Sequence, residues 1–306
     1  MRNKCLIVLF ITMFLYLVLA PSAGESYELK KYKEILWAHL ERLCSFGPRN
    51  TGSTGYQKAR NFIKEIGAKY ADDVLEQEFL YNRATGASVR MFNIEMVFKG
   101  VEDGAPLLIG THYDTRPFAD EEADPSLHSH PIIGANDGGS GTAVLLGLAQ
   151  YLSEHKPKKT VRLVFFDGED FGAKFSMEMF LGSKYYARLL AGVDKKLWPY
   201  CVLIVDMVGD KDLEIFKDTH SLGSAPWLLD IIYDVAKKMK FPQFKENVKF
   251  SVMDDHSAFI RLNIPSAVLI DFDYPHWHKL TDTLDKCSPE SLFAAFSVVS
   301  GALEKI

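Results

Sequence analysis

At 306 residues and 47% apolar content the chain can bury a full core as one α/β domain, and nothing in its composition suggests disorder. A formal net charge of −5, with Lys and Arg scattered rather than blocked, gives no basic footprint and argues against nucleic-acid binding.

The amino terminus carries Arg2 and Lys4, an apolar run over residues 5–20, and small residues through Gly24. This is a secretory signal pattern, expected over residues 1–24, with cleavage after Ala20 or within residues 22–24. An uncleaved anchor is the alternative, but the run is near the lower length limit for spanning a bilayer. Cleavage implies a secreted or periplasmic protein without a stable membrane partner, its mature domain covering residues 25–306. Removing the leader leaves Cys44, Cys201 and Cys287, an odd count without Cys-x-x-Cys spacing. No disulfide framework is implied, and burial as small apolar groups is expected.

Leu29, Ile35, Leu36, Leu40 and Leu43 recur at helical spacing over residues 27–46, and the stretch FGPRNTGS at 46–53 breaks that helix. A second helix is expected over 54–70, with Phe62, Ile63 and Ile66 on one side. Two β-like runs, 74–81 and 91–98, flank a turn at 84–86 and read as a hairpin or adjacent strands. Residues 106–113, PLLIGTHY, form a buried-strand pattern running into His112, Asp114, Thr115 and Arg116. The acidic, proline-bearing stretch 117–131 has no period and reads as a functional loop. A glycine-rich turn at 134–141 then leads into a small-residue helix over 142–153.

Everything is organised around residues 161–170, VRLVFFDGED. Five of the first six are apolar, four of them β-branched or aromatic, as in a strand buried on both faces of a parallel sheet. That strand delivers Glu169 and Asp170 to its carboxyl end, where open α/β sheets place their ligand crevices. Further on, a helix is expected over 183–190, a strand over 201–205 ending at Asp206, a short strand at 213–216, a helix over 225–240 and a buried strand over 266–270. Ser288, Pro289 and Glu290 combine a cap, a first-turn proline and an acid to start the last helix. The alternation predicts a single three-layer α/β domain, a mixed but mainly parallel sheet flanked by helices.

Collected at strand ends or adjoining loops, the candidate site residues are His112, Asp114, Asp137, Glu169, Asp170, Asp206, the segment from Asp254 to His256, and His278. Histidines with several carboxylates suit zinc held by nitrogen and oxygen with one coordination position open. A carboxylate beside a ligand supplies a proton shuttle, and Glu169 next to Asp170 provides both roles. Each residue also has an ordinary structural role open to it: Asp137 as a turn aspartate or cap, Asp206 as a strand-terminal acid, His278 stacked on Trp277 with no metal nearby. His128, His130 and His220 are expected to be solvated.

At these residues the sequence resembles the family of zinc aminopeptidases and secretory glutaminyl cyclases that share one α/β exopeptidase fold. The resemblance covers most of the mature chain, including Phe92-Asn93-Ile94, His112-Tyr113-Asp114, residues 134–137 and 165–170, Gly182-Ser183, Asp206, Asp254-Asp255-His256 and Trp277-His278. Similarity to the cyclase branch implies a zinc-dependent catalytic domain in which Asp137, Asp170 and His278 hold one zinc. Glu169 would then be the acid/base, Asp206 and Asp254 would complete a carboxylate network, and Trp277 and Tyr274 would wall the substrate. The implied reaction converts the amino-terminal glutamine of peptides or proteins to pyroglutamate and releases ammonia. Cyclases more usually carry glutamate at position 170, so aspartate there requires a closer backbone or a shifted metal. A tryptophan of the animal enzymes after the acid pair is matched here only by Phe171 and Phe175. Similarity to the aminopeptidase branch would instead place His112, Asp137, Asp170, Asp206 and His278 around two zincs for hydrolysis. A third expectation, from another class, is a secreted binding module that kept the fold without its chemistry.

Overall fold

The computed structural model describes residues 23–174 and 176–306, so Phe175 and the expected leader, apart from its last two positions, lie outside the described residues. Helices α1 (Ala23–Cys44) and α2 (Thr54–Tyr70) come first, followed by the hairpin strands β1 (Asp73–Asn82) and β2 (Ser88–Phe98). Strand β3 (Leu107–His112) leads through a long loop to α3 (Gly139–Glu154), and β4 (Val161–Phe166) leads through another to α4 (Leu181–Ala191). Next come β5 (Cys201–Asp206), β6 (Ile215–Asp218), α5 (Thr219–Ser224) and α6 (Pro226–Met239). The chain then forms β7 (Phe244–Phe250), α7 (His256–Ile260), β8 (Ser266–Ile270) and α8 (Pro289–Leu303).

Six strands make one sheet in the order β1-β2-β4-β3-β5-β8. Strands β4, β3, β5 and β8 are parallel, while β2 pairs antiparallel with β1 and β4. Alternate strand residues enter two apolar layers. Leu107, Ile109, Leu163, Phe165, Leu203 and Val205 pack with α1, α2, α3 and α8. Leu108, Val164, Phe166, Val202 and Ile204 pack with α4 and α7 on the other face. A sheet covered on both faces needs apolar residues at successive positions, which is why these strands read as unbroken apolar runs. The chain leaves β3 for β4 on one side and reaches β5 on the other. The carboxyl ends of β3 and β5 therefore flank a topological switch point, where a ligand crevice opens.

Local chemistry sets several boundaries. The Ser53 hydroxyl accepts from the Tyr56 amide and caps α2, and Ser288 caps α8 ahead of Pro289 in the same way. Helix α3 begins three residues earlier than the periodicity predicts, because its first turn is wedged against β5. A Cβ at Gly141 would lie 2.3 Å from the Val205 carbonyl oxygen, so only glycine lets the helix come this close. The short strand expected at 213–216 is β6, set two residues later, whereas its partner β7 and the helices α5 and α7 were not expected. Cys44, Cys201 and Cys287 are free thiols, the last two buried. None of the described helices is long and apolar enough to cross a membrane.

Candidate metal centre

The sheet gathers the expected side chains at its carboxyl edge. His112 ends β3, Glu169 and Asp170 follow β4, and Asp206 ends β5. Asp137 arrives from the turn before α3, Asp254 from the loop before α7, and His278 from the connection between β8 and α8. All seven are buried, none more than 8% exposed. Gly138 adopts a left-handed conformation with φ +78°, and a Cβ there would lie 2.4 Å from the Asp114 carbonyl oxygen and 3.0 Å from His112 Cε1. Glycine thus lets the turn carrying Asp137 fold down directly over His112.

The backbone of the acid pair is clamped from two directions. Asp114 accepts from the amides of Glu169 and Asp170, both at 3.2 Å. On the opposite side, the amides of Phe180, Leu181 and Gly182 donate to the carbonyls of Glu169, Gly168 and Asp167 at 2.8–3.0 Å. Asn93 bridges these segments, accepting from the Asp167 amide and donating to the Gly182 carbonyl. Asp167 itself accepts from Thr51, Tyr56 and the Phe92 amide, which makes it an anchor beneath the site. The His-x-Asp pair is therefore divided in role: His112 faces the acids, whereas Asp114 fixes where they point.

Asp137, Asp170 and His278 each offer a donor atom within 4.8 Å of the other two. His278 Nε2 lies 3.5 Å from Asp137 Oδ2 and 3.3 Å from Asp170 Oδ1. Tetrahedral zinc with donors at about 2.0–2.1 Å has edges of roughly 3.3–3.4 Å, so these separations match a common cation. Asp137 Oδ2 and Asp170 Oδ2 are buried without a hydrogen-bond partner. Buried carboxylate oxygens are costly unless paired, and a cation between these two would satisfy both. The residues present therefore fit zinc. Aspartate at position 170 reaches His278 despite its missing methylene.

Arg116 holds Asp170 in place. It donates to Asp170 Oδ1 and forms a fork on Asp120, with Nε at 2.7 Å from Oδ1 and Nη2 at 2.8 Å from Oδ2. Asp120 lies 3.7 Å from His278 Nδ1, and the Glu121 amide donates to the His278 carbonyl. The aperiodic loop read from the sequence thus braces two of the three donors, consistent with the outer shell that orients metal ligands.

A second donor set, His112, Asp137 and Asp206, shares Asp137 with the first. Here His112 Nε2 lies 3.2 Å from Asp137 Oδ1 and 3.1 Å from Asp206 Oδ1. Burial works against protonating His112, yet Asp206 and Glu169 raise its pKa well above that of a free imidazole.

The adjacent acids shift in opposite directions. Burial pushes the Glu169 carboxyl well above the usual glutamate range, with Asp170, Asp255 and Asp254 adding to the effect and His112 opposing it. Burial would raise Asp170 too, but His278 and Arg116 outweigh it and hold that carboxyl below the aspartate range. Neighbouring carboxyls driven apart in this way separate a proton carrier from a permanent anion. Asp254 is raised strongly by burial and by Asp206 and Asp255.

Glu169, Asp170, Asp137, Asp206, Asp254 and His278 line one narrow cleft with Trp277, Phe272, Met179 and Phe180. Trp277 stacks on His278 with ring centroids 3.9 Å apart, so stacking and proximity to the acids occur together. Tyr274 is not part of this lining. Its buried hydroxyl donates to Asp282, which in turn accepts from the Asn136 and Asp137 amides. It therefore supports Asp137 from below, and Phe272 stands at the wall expected of it. Phe171 packs against Tyr81, away from the cleft. Phe180, Met207 and His278, all non-glycine residues with φ between +44° and +57°, border the site and carry local backbone strain. Arg49 donates to the carbonyls of Tyr113, Ile133 and Gly134 beneath the turn that carries Asp137. It was missed in the sequence together with Asp120 and Asp282, because nothing in local spacing marks which distant carbonyl or amide a buried side chain will meet.

Fold and site together define a metal-dependent enzyme with the architecture of the zinc exopeptidases. The model of peptidase family M28 matches residues 93–303, and the chain belongs to that family. The crystal structure of Bacteroides thetaiotaomicron glutaminyl cyclase bound to N-acetylhistamine superposes with a TM-score of 0.83 at 26% identity, over 90% of this chain and 98% of that one. The glutaminyl-peptide cyclotransferase of Boiga dendrophila is 23% identical over 282 residues, 78% of this chain and 73% of its own length. A probable zinc metalloprotease of Pyrenophora tritici-repentis is 30% identical over 195 residues, 58% of this chain but only 38% of the fungal protein's length.

Proposed function

We propose that this chain is a zinc-dependent glutaminyl-peptide cyclotransferase, converting amino-terminal glutamine of peptides or proteins to pyroglutamate with release of ammonia. The observation that carries the reading is the distribution of unsatisfied oxygens. Among the carboxylate oxygens of the two donor sets, the buried orphans are Asp137 Oδ2 and Asp170 Oδ2, whereas Asp206 Oδ1 is already engaged by His112 and the Met207 amide. One cation at Asp137, Asp170 and His278 answers that need without a second. The similarity to glutaminyl cyclases over most of the chain supports the same assignment.

Bound zinc supplies Lewis acidity, polarising a carbonyl and stabilising the charge that develops on its oxygen. The nucleophile is the substrate's own α-amine, so the cleft mainly has to orient it towards the side-chain γ-carbonyl. Glu169 takes a proton from that amine as the C–N bond forms. It returns the proton to the departing amide nitrogen, which leaves as ammonia. A raised pKa makes its carboxylate the stronger base for the first transfer. Asp254 and Asp206 face the same cleft and accept hydrogen bonds from the leaving nitrogen, while Trp277 and Phe272 cover the glutamine methylenes. We place the domain at residues 25–306 behind a cleaved leader, which makes the enzyme secreted or periplasmic.

The second reading is a di-zinc aminopeptidase, favoured by the convergence of His112, Asp137 and Asp206 beside the first donor set. Incubating the zinc-loaded protein with a glutaminyl peptide separates the two. Cyclisation yields a peptide lighter by one ammonia with one zinc at the centre, and hydrolysis yields free glutamine with two.

A further inference from the structure

A third set of donors lies away from the cleft, where three element ends meet. Asp218 closes β6, His220 stands in the first turn of α5, and His256 opens α7. Each offers one donor atom, and these atoms lie within 4.8 Å of one another. His256 is fully buried, and neither ring nitrogen has a hydrogen-bond partner among the described residues. Asp218 uses Oδ1 to cap α5, accepting from the His220 and Ser221 amides at 2.9 and 3.1 Å, while its buried Oδ2 is unpartnered. His220, expected to be a solvated histidine, is exposed but not idle. Its Nδ1 lies 2.7 Å from the Val252 carbonyl oxygen, which makes Nδ1 the protonated nitrogen and leaves the lone pair on Nε2, where an ion would displace the exposed Ser251 hydroxyl now 3.3 Å away. A backbone carbonyl on the far nitrogen is the usual support of a metal-binding imidazole. Burial, joined by His220, lowers the His256 pKa to about 4 despite the opposing Asp218, so this ring is neutral at working pH and able to ligate.

We propose that Asp218, His220 and His256 form a second, independent site for a borderline divalent cation of the zinc class. Two imidazoles and one carboxylate are the donors such ions take, whereas calcium and magnesium prefer an all-oxygen shell. The ion enters from the solvent side through His220, which is the exposed member of the three. Its structural effect is to tie the β6–α5 corner to the start of α7, two residues after Asp254.

The test is zinc content per chain by mass spectrometry after chelator dialysis and reloading of the full-length protein. Wild type should hold one equivalent more than His220→Ala and His220→Gln, with the zinc ligand cysteine in His220→Cys retaining it. His278→Ala, altered at the catalytic centre, should keep the equivalent that the His220 variants lose. Equal zinc content in wild type and both His220 variants overturns the site, as does loss of all zinc in His278→Ala. His220 does not itself line the cleft, although its Nδ1 donates to the carbonyl of Val252, which does, so glutaminyl-peptide turnover in its variants is expected to stay within about twofold of wild type.

Discussion

The carboxyl edge of the sheet and the layer beneath α1, α3 and α8 are buried to a similar degree, but they are chemical opposites. In the helical layer, side chains such as Leu36, Leu40, Leu145, Phe296 and Val299 exclude water, and the unmatched polar atoms on its helices, such as His39 Nε2 and Ser297 Oγ, are neutral. At the edge, His112 and the five acids Asp137, Glu169, Asp170, Asp206 and Asp254 crowd together, with shifted pKa values at His112, Asp137, Glu169, Asp170 and Asp254 and with orphan oxygens and positive backbone φ nearby. The first region stabilises the molecule through apolar burial. The second is unfavourable by itself and is held in place by clamps such as Asp114, Arg116 and Asn93. Stability and chemistry are therefore separable, and substitutions should fall cleanly into one class or the other.

The sharpest separation is expected at Glu169. Glu169→Gln should lower kcat on a glutaminyl peptide by about 10²–10⁴-fold, read as ammonia release, with zinc content and Tm unchanged. The mirror case is Phe296, whose ring lies tilted against Tyr32 with centroids 4.7 Å apart in the helical layer. Phe296→Ala should cost about 3–5 kcal/mol in chemical denaturation while kcat of the folded fraction stays at the wild-type value. A variant that lost both properties together, in either region, would break the comparison.

Arg116→Lys sits between the two classes. It keeps the charge but loses the planar fork that engages Asp120 and Asp170 at once. Zinc affinity, measured by competition with a chelator, should fall about 10-fold, the low end for an outer-shell partner.

The smallest effect is in the pH dependence of the metal-free protein. Burial raises Asp255 to about 7, and burial with the neighbouring Asp137 charge raises Asp282 to about 7. An acid with a raised folded pKa binds more protons folded than unfolded, so stability is present at low pH and falls as pH climbs. The urea midpoint of the metal-free chain should therefore drop between about pH 4 and pH 7. Zinc should flatten that slope, since the bound cation compensates the buried charge.

Much of this organisation was legible before any coordinates. The strands over 161–166 and 266–270 coincide with β4 and β8, because burial on both faces writes itself as an unbroken apolar run. The helix over 54–70 coincides with α2 because its apolar side follows a helical period, and the Ser53 cap seen in the structure fixes its start. The acids at strand ends followed from the same logic, since a parallel sheet points its carboxyl ends one way. By contrast β7, with the sequence FKENVKF and mostly exposed, has no buried face to impose a pattern. Helices α5 and α7, six and five residues long, are too short for a period to appear. Tyr274 was expected beside Trp277 as an apolar wall for the substrate. Its hydroxyl found Asp282 instead, a tertiary contact invisible to spacing. The Arg116–Asp170 pair and the donors around His256 likewise join residues whose separation in the chain carries no signal.

The central claim is that one cation, gripped by Asp137, Asp170 and His278 beside Glu169, serves intramolecular cyclisation. Mass analysis of a glutaminyl peptide after incubation with zinc-loaded protein tests it most directly. The account predicts a product lighter by one ammonia, formed at a rate that collapses in Glu169→Gln. Release of free glutamine with the shortened peptide would contradict it.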